Sequence, residues 1–366
     1  MKFKLTVLAA AIAFSGTALA NGNNSDVEQN GFDNEATVSQ YSGWLGGNNS
    51  SSVAQDGVGN GATVHQQGWW GGNVSDIDQV GKANSTDVFQ DGTTNTASIT
   101  QNGEFNSSDS QQEGWDNVLQ VEQSGFKNNA STFQSGWNNY ANISQDGNSN
   151  KSDVVQEGTR NIVDVLQDGT THTSDITQSG FNNTASVDQG GRSNDSLIVQ
   201  SGKMNVADVL QRGRKNASDI SQEGFNNSAS VDQAGRFNDS VIVQEGTQNV
   251  AEVFQRELKN TSDIYQSGWD NFASVDQSGL NNDAKINQSG AQNVSEVTQS
   301  GYNDLADSSQ SGYGHTSTIT QSAASGVIGG LLSVASNNAT HVQLGRNNTA
   351  TTTQVGGGNV ATVYQH

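Results

Sequence analysis

Residues 178–189 read QSGFNNTASVDQ and fit the pattern Q-x-G-x-x-N-x-(A/S)-x-(V/I)-x-Q. From residue 183 to residue 189, the residues that the pattern fixes alternate with residues that it leaves open. Because successive side chains of a strand point to opposite faces, the alternation predicts a strand with one inward face. That face carries Asn183, Ala185, Val187 and Gln189. Gly180 and the polar pair after it predict the turn between strands.

The pattern repeats with a fixed period. From Gln79 to Gln321 a glutamine falls on every eleventh residue without a gap. The same spacing continues at Gln343, Gln354 and Gln365, with Leu332 in the one vacant position. A repeat this short cannot bury a core alone and must stack on its neighbours. The repeat as a whole is therefore the expected functional object.

Two repeats make one structural unit of 22 residues. Strands with an inward Ala–Val pair alternate with strands that have an inward Ser–Ile pair, as in 185–187 and 196–198. This alternation predicts an all-β fold, a two-sheet parallel β-solenoid of the cross-β kind with two strands per rung. Counting the repeats gives about fifteen and a half rungs. Residue i is then expected to lie over residue i+22, about 4.8 Å away.

The inward amides are expected to form ladders in which each side chain bonds its copies above and below. The predicted core-ladder and polymerisation residues are Asn161, Gln167, Asn183, Val187, Gln189, Asn205, Val209, Gln211, Asn227, Val231, Gln233, Asn249 and Gln255. The predicted turn glycines are Gly158, Gly180, Gly202, Gly224 and Gly246. An unpaired buried amide costs about 1–3 kcal/mol, so such a core favours one strict register.

The chain divides into four predicted segments. Residues 1–20 read as a signal peptide, with a basic start, an apolar stretch and a small-residue site for cleavage before Asn21. Residues 21–78 hold repeats with two longer loops, which carry Trp44 and the pair Trp69-Trp70. Residues 79–321 are the regular repeats. Residues 322–366 are repeats that become irregular near 322–336, where the spacing still predicts a rung.

The outward faces carry the charge. The formal net charge is −21, and removal of the leader with its two lysines makes the chain more acidic still. This balance disfavours nucleic acid and anionic lipid as partners, and no second segment predicts membrane insertion. At low salt, assembly is expected to accelerate as the pH falls towards the carboxylate range.

Two outward columns at 22-residue spacing alternate acids with other residues. They read Asp164, Ser186, Asp208, Ser230, Glu252, Ser274, Glu296 and Leu166, Asp188, Leu210, Asp232, Phe254, Asp276, Thr298. No acid is expected directly above another, which avoids the repulsion of stacked like charges.

No catalytic site, metal site or cofactor is predicted. There is no cysteine, the five histidines do not cluster, and His172 and His315 fill the asparagine position of the repeat. The acids are periodic and outward, as on a solvated face. An enzyme is therefore the least favoured class. Corner aromatics share one column at Phe181, Phe225, Trp269 and Tyr313, with Lys203 between the first two; packing is favoured over ligand binding.

The ends of a stacked solenoid expose unpaired backbone groups and amides, which can template another chain. The predicted end-rung residues are Gln29, Asn34, Gln40, Gln354, Asn359 and Gln365. These open ends predict head-to-tail polymerisation of the protein with itself into a fibre.

These repeats resemble the curlin repeats of the curli major subunits, the CsgA family of bacterial functional amyloids, over residues 23–366. The resemblance implies export through an outer-membrane secretion pore and a nucleator subunit at the cell surface. It also implies extracellular fibres of a biofilm matrix that serve adhesion and surface colonisation. This chain has many more repeats than familiar members, and only residues 21–26 stand where the family carries an export-targeting stretch.

Two further functions fit the same residues. One is a monomeric β-solenoid that acts as an adhesin or binds a ligand. The other is the surface-bound curli nucleator. Whether free chains polymerise alone after a lag, or only seed another subunit, discriminates among these functions.

Overall fold

The computed structural model of the chain describes residues 22–43, 47–68, 70–323, 326–328, 331–333 and 336–366. The predicted leader with its cleavage site, Trp44 and Trp69 lie outside these residues. Regular structure in the described part consists entirely of β-strands. It contains no helix long and apolar enough to span a bilayer. The chain forms two compact units, one up to Arg160 and one from Asn161 onwards.

In the first unit the strands alternate between two parallel sheets. Sheet A contains β1 (Asn24–Phe32), β3 (Ser50–Val58), β5 (Val74–Lys82), β7 (Thr96–Glu104), β9 (Val118–Phe126) and β11 (Tyr140–Asn148). Sheet B contains β2 (Glu35–Ser42), β4 (Gly61–Gly68), β6 (Ser85–Thr93), β8 (Ser107–Trp115), β10 (Asn129–Trp137) and β12 (Lys151–Thr159). Each odd strand and the even strand after it form one rung, which gives six rungs.

The second unit repeats this arrangement over nine rungs. Its sheet A contains β13 (Ile162–Thr170), β15 (Thr184–Arg192), β17 (Val206–Arg214), β19 (Ser228–Arg236), β21 (Val250–Leu258), β23 (Phe272–Leu280), β25 (Val294–Tyr302), β27 (Thr316–Ser322) and β31 (Thr349–Val355). Its sheet B contains β14 (Thr173–Phe181), β16 (Asp195–Lys203), β18 (Ala217–Phe225), β20 (Asp239–Thr247), β22 (Thr261–Trp269), β24 (Asp283–Ala291), β26 (Leu305–Tyr313), β30 (Asn338–Arg346) and β32 (Val360–Gln365).

Each unit is thus a two-sheet parallel β-solenoid, which confirms the fold class predicted from the period. In the regular part residue i pairs with residue i+22, as Val187 does with Val209. From β15 to β22 the Ala–Val strands lie in sheet A and the Ser–Ile strands lie in sheet B. Their inward side chains meet between the sheets, where Ile198 and Val209 are fully buried. The inward face of the repeat therefore builds the whole core.

The strand boundaries differ from the prediction. The asparagine of each repeat lies in the corner, and the strand begins one residue later, as at Thr184 after Asn183. The glycine expected in the turn lies inside the strand end, as Gly180 does in β14. The reason is that the glycine column adopts a φ near +110°, which lets the ladder continue past the glutamine. The turn itself is the residue pair 182–183.

The two early loops change the spacing but leave the register intact. Gln29 pairs with Gln55, 26 residues on, and Gln55 pairs with Gln79, 24 residues on. In sheet B, Gln66 pairs with Gln90, a spacing that also exceeds the regular 22 by two residues. The extra residues lie between strands, as the sequence predicts. Trp70 in the second loop is 75% exposed.

The prediction of a rung at 322–336 is wrong. β26 pairs directly with β30, and β27 pairs directly with β31, each at a spacing of 33 residues. The intervening chain contributes the short antiparallel hairpin β28 (Gly326–Ile328) and β29 (Leu331–Ser333), which joins neither ladder. With Leu332 in the glutamine position, this segment cannot supply an amide to the ladder. Gln310 therefore bonds Gln343 directly.

Glu257 stands where neighbouring repeats have the strand glycine. It adopts a φ of +76°, and ladder pairing between β21 and β23 is interrupted after Gln255 and resumes at Leu258. A left-handed conformation costs a residue with a Cβ about 1–2 kcal/mol. This position is therefore a local weak point of sheet A.

Replacing Glu257 with glycine should stabilise the protein by about 1 kcal/mol, because relief of the left-handed backbone outweighs the entropy that glycine loses on folding. The measurement is urea denaturation of freshly desalted protein. Glu257→Ala is the control, since it removes the charge and keeps the Cβ. An equal gain for both variants would show that the charge, and not the backbone, limits stability.

Candidate functional site: amide ladders and end rungs

The glutamines form continuous amide ladders inside each unit. Nε2 of Gln189 donates to Oε1 of Gln211 at 2.8 Å, and Nε2 of Gln211 donates to Oε1 of Gln233 at 2.8 Å. The second Nε2 proton of Gln211 bonds the carbonyl of Asp195 at the start of the facing strand. All three glutamines are fully buried. Each amide therefore joins two rungs and also ties sheet A to sheet B.

The asparagines are bonded only in part as the prediction has it. Oδ1 of Asn183 accepts the backbone N–H of Asn205 in the next rung, at 3.1 Å. Its Nδ2 donates to the carbonyls of Ser179 and Gly202, at 3.0 and 3.3 Å. Nδ2 of Asn183 also donates to Oδ1 of Asn161 in the preceding rung, at 3.3 Å. The asparagine thus joins rungs mainly through the backbone, with an amide-to-amide bond at some positions, whereas the glutamines bond amide to amide along the whole ladder. Its role is to fix the corner, because it satisfies donors and acceptors that the turn leaves open.

The ladder residues named from the sequence all lie in the inward asparagine, valine and glutamine columns. Those of the second unit have exposed fractions of 1% or less: Asn161, Gln167, Asn183, Val187, Gln189, Asn205, Val209, Gln211, Asn227, Val231, Gln233, Asn249 and Gln255. Gly158, Gly180, Gly202, Gly224 and Gly246 lie in sheet B at φ values between +111° and +122°. A Cβ on Gly202 would lie 2.1 Å from the carbonyl oxygen of Gly224, so no other residue fits there.

The first rung leaves one side of the ladder without a partner. Nε2 of Gln29 donates to Gln55 and Nε2 of Gln40 donates to Gln66. No glutamine among the described residues donates to the Oε1 atoms of Gln29 and Gln40. The inward Val38 is half-exposed, whereas Val64 one rung further on is fully buried. Oδ1 of Asn34 accepts the backbone N–H of Asn60 in the second rung.

The last rung leaves the opposite side open. Oε1 of Gln354 and of Gln365 accept from Gln321 and Gln343. Their Nε2 atoms bond the carbonyls of Asn338 and Thr349, and neither donates to a further glutamine in the described structure. Asn359 donates to Asn337. This end thus presents amide donors in both sheets, where the first rung presents amide acceptors.

Comparison with known families decides the identity of the repeat. The curlin associated repeat matches residues 73–103, 92–125, 114–147, 127–158, 136–169, 147–180, 173–202, 205–235, 260–290 and 336–366. Together these matches cover more than half of the chain. The chain belongs to the curlin-repeat family. No curated protein matches it as a relative.

The curlin repeats and the solenoid together fit a curli-type structural subunit. The matches include the last three strands, 336–366, and pass over residues 236–259 and 291–335, the second of which contains the hairpin that joins neither ladder. Among the described residues, no group of three or more His, Cys, Asp or Glu side chains is placed to hold a metal ion. The curlin repeats leave hydrogen-bonding amide groups open at the first and last rungs. Such groups can bind another chain.

The predicted charge alternation is confirmed in sheet A of the second unit. Asp164, Ser186 and Asp208 stack in one column, and Leu166, Asp188 and Leu210 stack in the next. The columns continue in register through Glu296 and Thr298. The alternation is not general, however.

In sheet B of the first unit, Asp87 stacks on Asp109 and Asp91 stacks on Glu113. Burial first, and then Asp109, raise the pKa of Asp87, while His65 opposes this. Asp87 therefore holds its proton more tightly when the curlin repeats are folded than when they are unfolded.

Buried histidines replace ladder residues at three positions. Nδ1 of His172 accepts the backbone N–H of Asn194, and its Nε2 lies 3.3 Å from the carbonyl oxygen of Asp168. Because the backbone N–H of Asn194 donates to Nδ1, this nitrogen carries no proton. The ring is therefore neutral, with its proton on Nε2. His315 makes the same two contacts, with Asn348 and Ser311. His341 lies in the core, between Ser317 and Thr352.

Acid should therefore destabilise the fold through His172 and His341. Burial lowers the pKa of His172, although the Asp168 and Gly191 carbonyls oppose it, and burial lowers the pKa of His341. The unfolded chain then takes up protons first, so stability is lost as the pH falls from about 6.5 towards the lowered folded values.

His172→Asn should lose less stability than wild type between pH 7.5 and about 5.5, because it removes one of these rings. The free energy of unfolding from urea titrations at both pH values is the measurement. His366→Asn, which alters an exposed ring, is the matched control. Equal pH dependence of wild type and His172→Asn would mean that His172 does not contribute.

Proposed function

We propose that this protein is a secreted structural subunit that assembles head to tail into extracellular, curli-type amyloid fibres. The fibres would form part of a biofilm matrix and serve adhesion and surface colonisation. The chain would leave the cell after removal of residues 1–20, through an outer-membrane secretion pore, and a nucleator subunit would start its assembly. Family membership supports this proposal, because curlin repeats occur in fibre-forming surface proteins.

The observation that carries the proposal is the complementarity of the two end rungs. The first rung of the first unit consists of β1 in sheet A and β2 in sheet B, and the last rung of the second unit consists of β31 in sheet A and β32 in sheet B. A second copy can therefore continue both sheets at once, with β1 on β31 and β2 on β32. In that register the free donors of Gln354 and Gln365 meet the free acceptors of Gln29 and Gln40.

The asparagine corners agree with the same direction of growth. Inside each unit, an asparagine Oδ1 accepts the backbone N–H of the next asparagine, as Asn34 does from Asn60. At the last rung Asn348 and Asn359 hold the positions from which their Oδ1 atoms would accept the backbone N–H groups of Asn23 and Asn34 of an added copy. Every bond at the junction repeats a bond already present inside the repeat array, so elongation requires no new kind of contact.

The experiment is assembly of residues 21–366 followed by thioflavin fluorescence and electron microscopy. Wild type should show a lag and then growth into unbranched fibres with a spacing near 4.8 Å. A persistently soluble, β-rich monomer would instead favour the solenoid adhesin, and growth only in the presence of a second subunit would favour a nucleator-type role.

Blocking one end should slow growth. In Gln354→Glu/Gln365→Glu the carboxylates can still accept from Gln321 and Gln343, but they would face the Oε1 atoms of an incoming copy. Each mismatched amide costs about 1–3 kcal/mol, so elongation from preformed seeds should slow by at least about tenfold. Thr351→Glu/Thr362→Glu adds the same two charges to the outward face of the last rungs and serves as control. Equal elongation rates for the two variants would contradict growth through the amide ends.

A further inference from the structure

Half of the cations outside the leader lie on one corner of the second unit. They lie at the ends of four successive strands of sheet A, β15, β17, β19 and β21, and in the turns that follow these strands. We call this set the basic ridge: Arg192, Arg212, Arg214, Lys215, Arg236, Arg256 and Lys259. The chain has only 16 lysines and arginines against 37 acids, so a concentration of seven on four turns requires a physical account.

The ridge is exposed and forms no ion pair with the described residues, although Asp195 and Asp239 follow Arg192 and Arg236 by three residues. All seven side chains are exposed, and none lies within 4.0 Å of a carboxylate of the described residues. Lys215 lies over the ring of Phe237, 5.4 Å from its centroid. Glu257 is the one acid in these four turns. The ridge is therefore a row of positive charge with one exposed aromatic side chain, Phe237, beside it.

The ladder register stacks these charges. Arg192 pairs with Arg214, and Arg214 pairs with Arg236, so three arginines follow each other at the rung spacing of about 4.8 Å. Stacked like charges at this distance destabilise a sheet. In the two alternating columns of sheet A in the same unit, the acids avoid such stacking. An opposite charge from outside, repeated at the same spacing, would remove this repulsion.

A matching acidic row lies on the outward face of sheet B. It has one aspartate in each of six successive strands, alternating between two adjacent columns: Asp195, Asp219, Asp239, Asp263, Asp283 and Asp307. We call this set the aspartate row. Lys285 is the one cation stacked within these columns. Exposed apolar side chains lie among the acids, including Leu197 and Tyr265.

The aspartates of this row repel one another. The pKa of Asp219 is raised by burial and then by Asp239, and the pKa of Asp239 is raised by burial and then by Asp263. Asp283 follows the same pattern, with Asp263 and Asp307 as its neighbours and with Lys285 opposing. The row is thus an acidic surface that a foreign cation would stabilise.

We propose that the basic ridge of one copy of this chain binds the aspartate row of a second copy lying beside it. The inference rests on the proposed function, because it describes how fibres associate side by side. Both rows are set by the same rung, so their charges have the same axial spacing in any two copies that lie parallel. The exposed Phe237 beside the ridge meets the apolar side chains between the aspartates.

A nucleic acid fits the ridge less well. A DNA strand carries one phosphate every 3.4 Å, which does not match a rung spacing of about 4.8 Å. A polyanion longer than the four turns would also extend over the acidic surface of the same chain, and it offers no apolar partner for Phe237. A second copy satisfies the charge, the spacing and the apolar contact together.

The test compares four variants of residues 21–366, each with four substitutions to the neutral amide. The ridge variant is R192Q/R212Q/R214Q/R236Q, and its control is K82Q/K127Q/K203Q/R346Q, which removes four exposed cations elsewhere. The row variant is D195N/D219N/D239N/D263N, and its control is D188N/D208N/D232N/D276N on sheet A. Thioflavin growth reports fibre formation. Low-speed pelleting and electron microscopy report side-by-side association, at low and high salt.

The ridge and row variants should both form fibres, with side-by-side association weakened about tenfold, while both controls associate as wild type does. Association of wild type should be lost at about 1 M salt, where the screening length falls to about 3 Å. The row variant is decisive, because removing acids without a specific contact would increase association by lowering the net charge.

Three results would overturn the inference. One is unchanged association of the ridge variant. Another is increased association of the row variant. The third is loss of binding to a fluorescent DNA duplex by the ridge variant with association unchanged, which would assign the ridge to nucleic acid. If wild type forms no fibres, the proposed function fails separately. Sedimentation velocity then compares side-by-side dimers of the same variants, and equal sedimentation would overturn the inference.

Discussion

Replacing Gly191 with alanine should destabilise the protein by about 3 kcal/mol or more, whereas the same change at Gly190 should alter stability by less than about 1 kcal/mol. The two glycines are adjacent in β15 and differ in backbone conformation and in environment. A Cβ on Gly191 would lie 2.2 Å from the carbonyl oxygen of Gly213, and its φ is +106°. A Cβ on Gly190 would meet nothing within 4 Å.

The large effect at Gly191 has two sources. The left-handed backbone costs alanine about 1–2 kcal/mol. In addition, β15 and β17 must separate locally, which leaves buried backbone groups without partners at about 1–3 kcal/mol each. The measurement is urea denaturation of both variants. Similar stabilities of Gly190→Ala and Gly191→Ala would contradict the close stacking of the glycine column.

Replacing Gln211 with glutamate should destabilise the protein by about 3–5 kcal/mol at neutral pH, the cost typical of an uncompensated buried charge. Nε2 of Gln211 donates to Gln233 and to the Asp195 carbonyl, and a carboxylate can donate to neither. Two acceptors would lose their donors, and a charge would lie in a fully buried position. The free energy of unfolding at pH 7.5 tests this prediction.

The cost should be smaller in acid. Burial would raise the pKa of the new carboxyl group in the folded state, so the folded state binds the proton more tightly and gains stability as the pH falls through that value. Gln248→Glu makes the same change in charge at an exposed side chain and should cost less than about 0.5 kcal/mol. A cost at position 211 as small as that at 248 would mean that the glutamine ladder does not hold the rungs together.

The sequence was sufficient to predict the architecture, because every rung repeats one rule. The period of eleven, the inward alternation and the alternating Ala–Val and Ser–Ile strands predicted two sheets and their register. The glutamine ladder followed from the same reasoning, since an inward amide at fixed spacing has only its own copies as partners. The end-rung residues could be named as soon as the repeat was placed.

Three features could not be predicted from the repeat alone. The asparagine corners depend on the turn backbone, whose open N–H and C=O groups are invisible in a pattern of side chains. The segment near 322–336 kept a total spacing of 22 between Gln321 and Gln343, so its exclusion from the ladder became clear only from the pairing of β26 with β30.

The basic ridge was also missed, because a net charge of −21 shows that acids are in excess and does not show where the few cations lie. A signal was nevertheless present, since Arg192, Arg214 and Arg236 are spaced by 22 residues. Reading the turn positions as columns, in the way the strand positions were read, would have found it.

The measurement that tests the central claim most directly is a disulfide between copies in the assembled fibre. The chain has no cysteine, and growth through the end rungs places Asp26 of one copy beside Thr351 of the next. At a rung spacing of about 4.8 Å the two Cα atoms are within the range for a disulfide. Asp26→Cys/Thr351→Cys fibres, oxidised and run on a non-reducing gel, should give a ladder of covalent multimers.

The matched control is Asp26→Cys/Thr362→Cys, which places its two cysteines on different sheets. The account predicts multimers for the first pair and monomers for the second. Monomers from both pairs, or equal multimers from both, would contradict assembly through the continued ladders of sheets A and B.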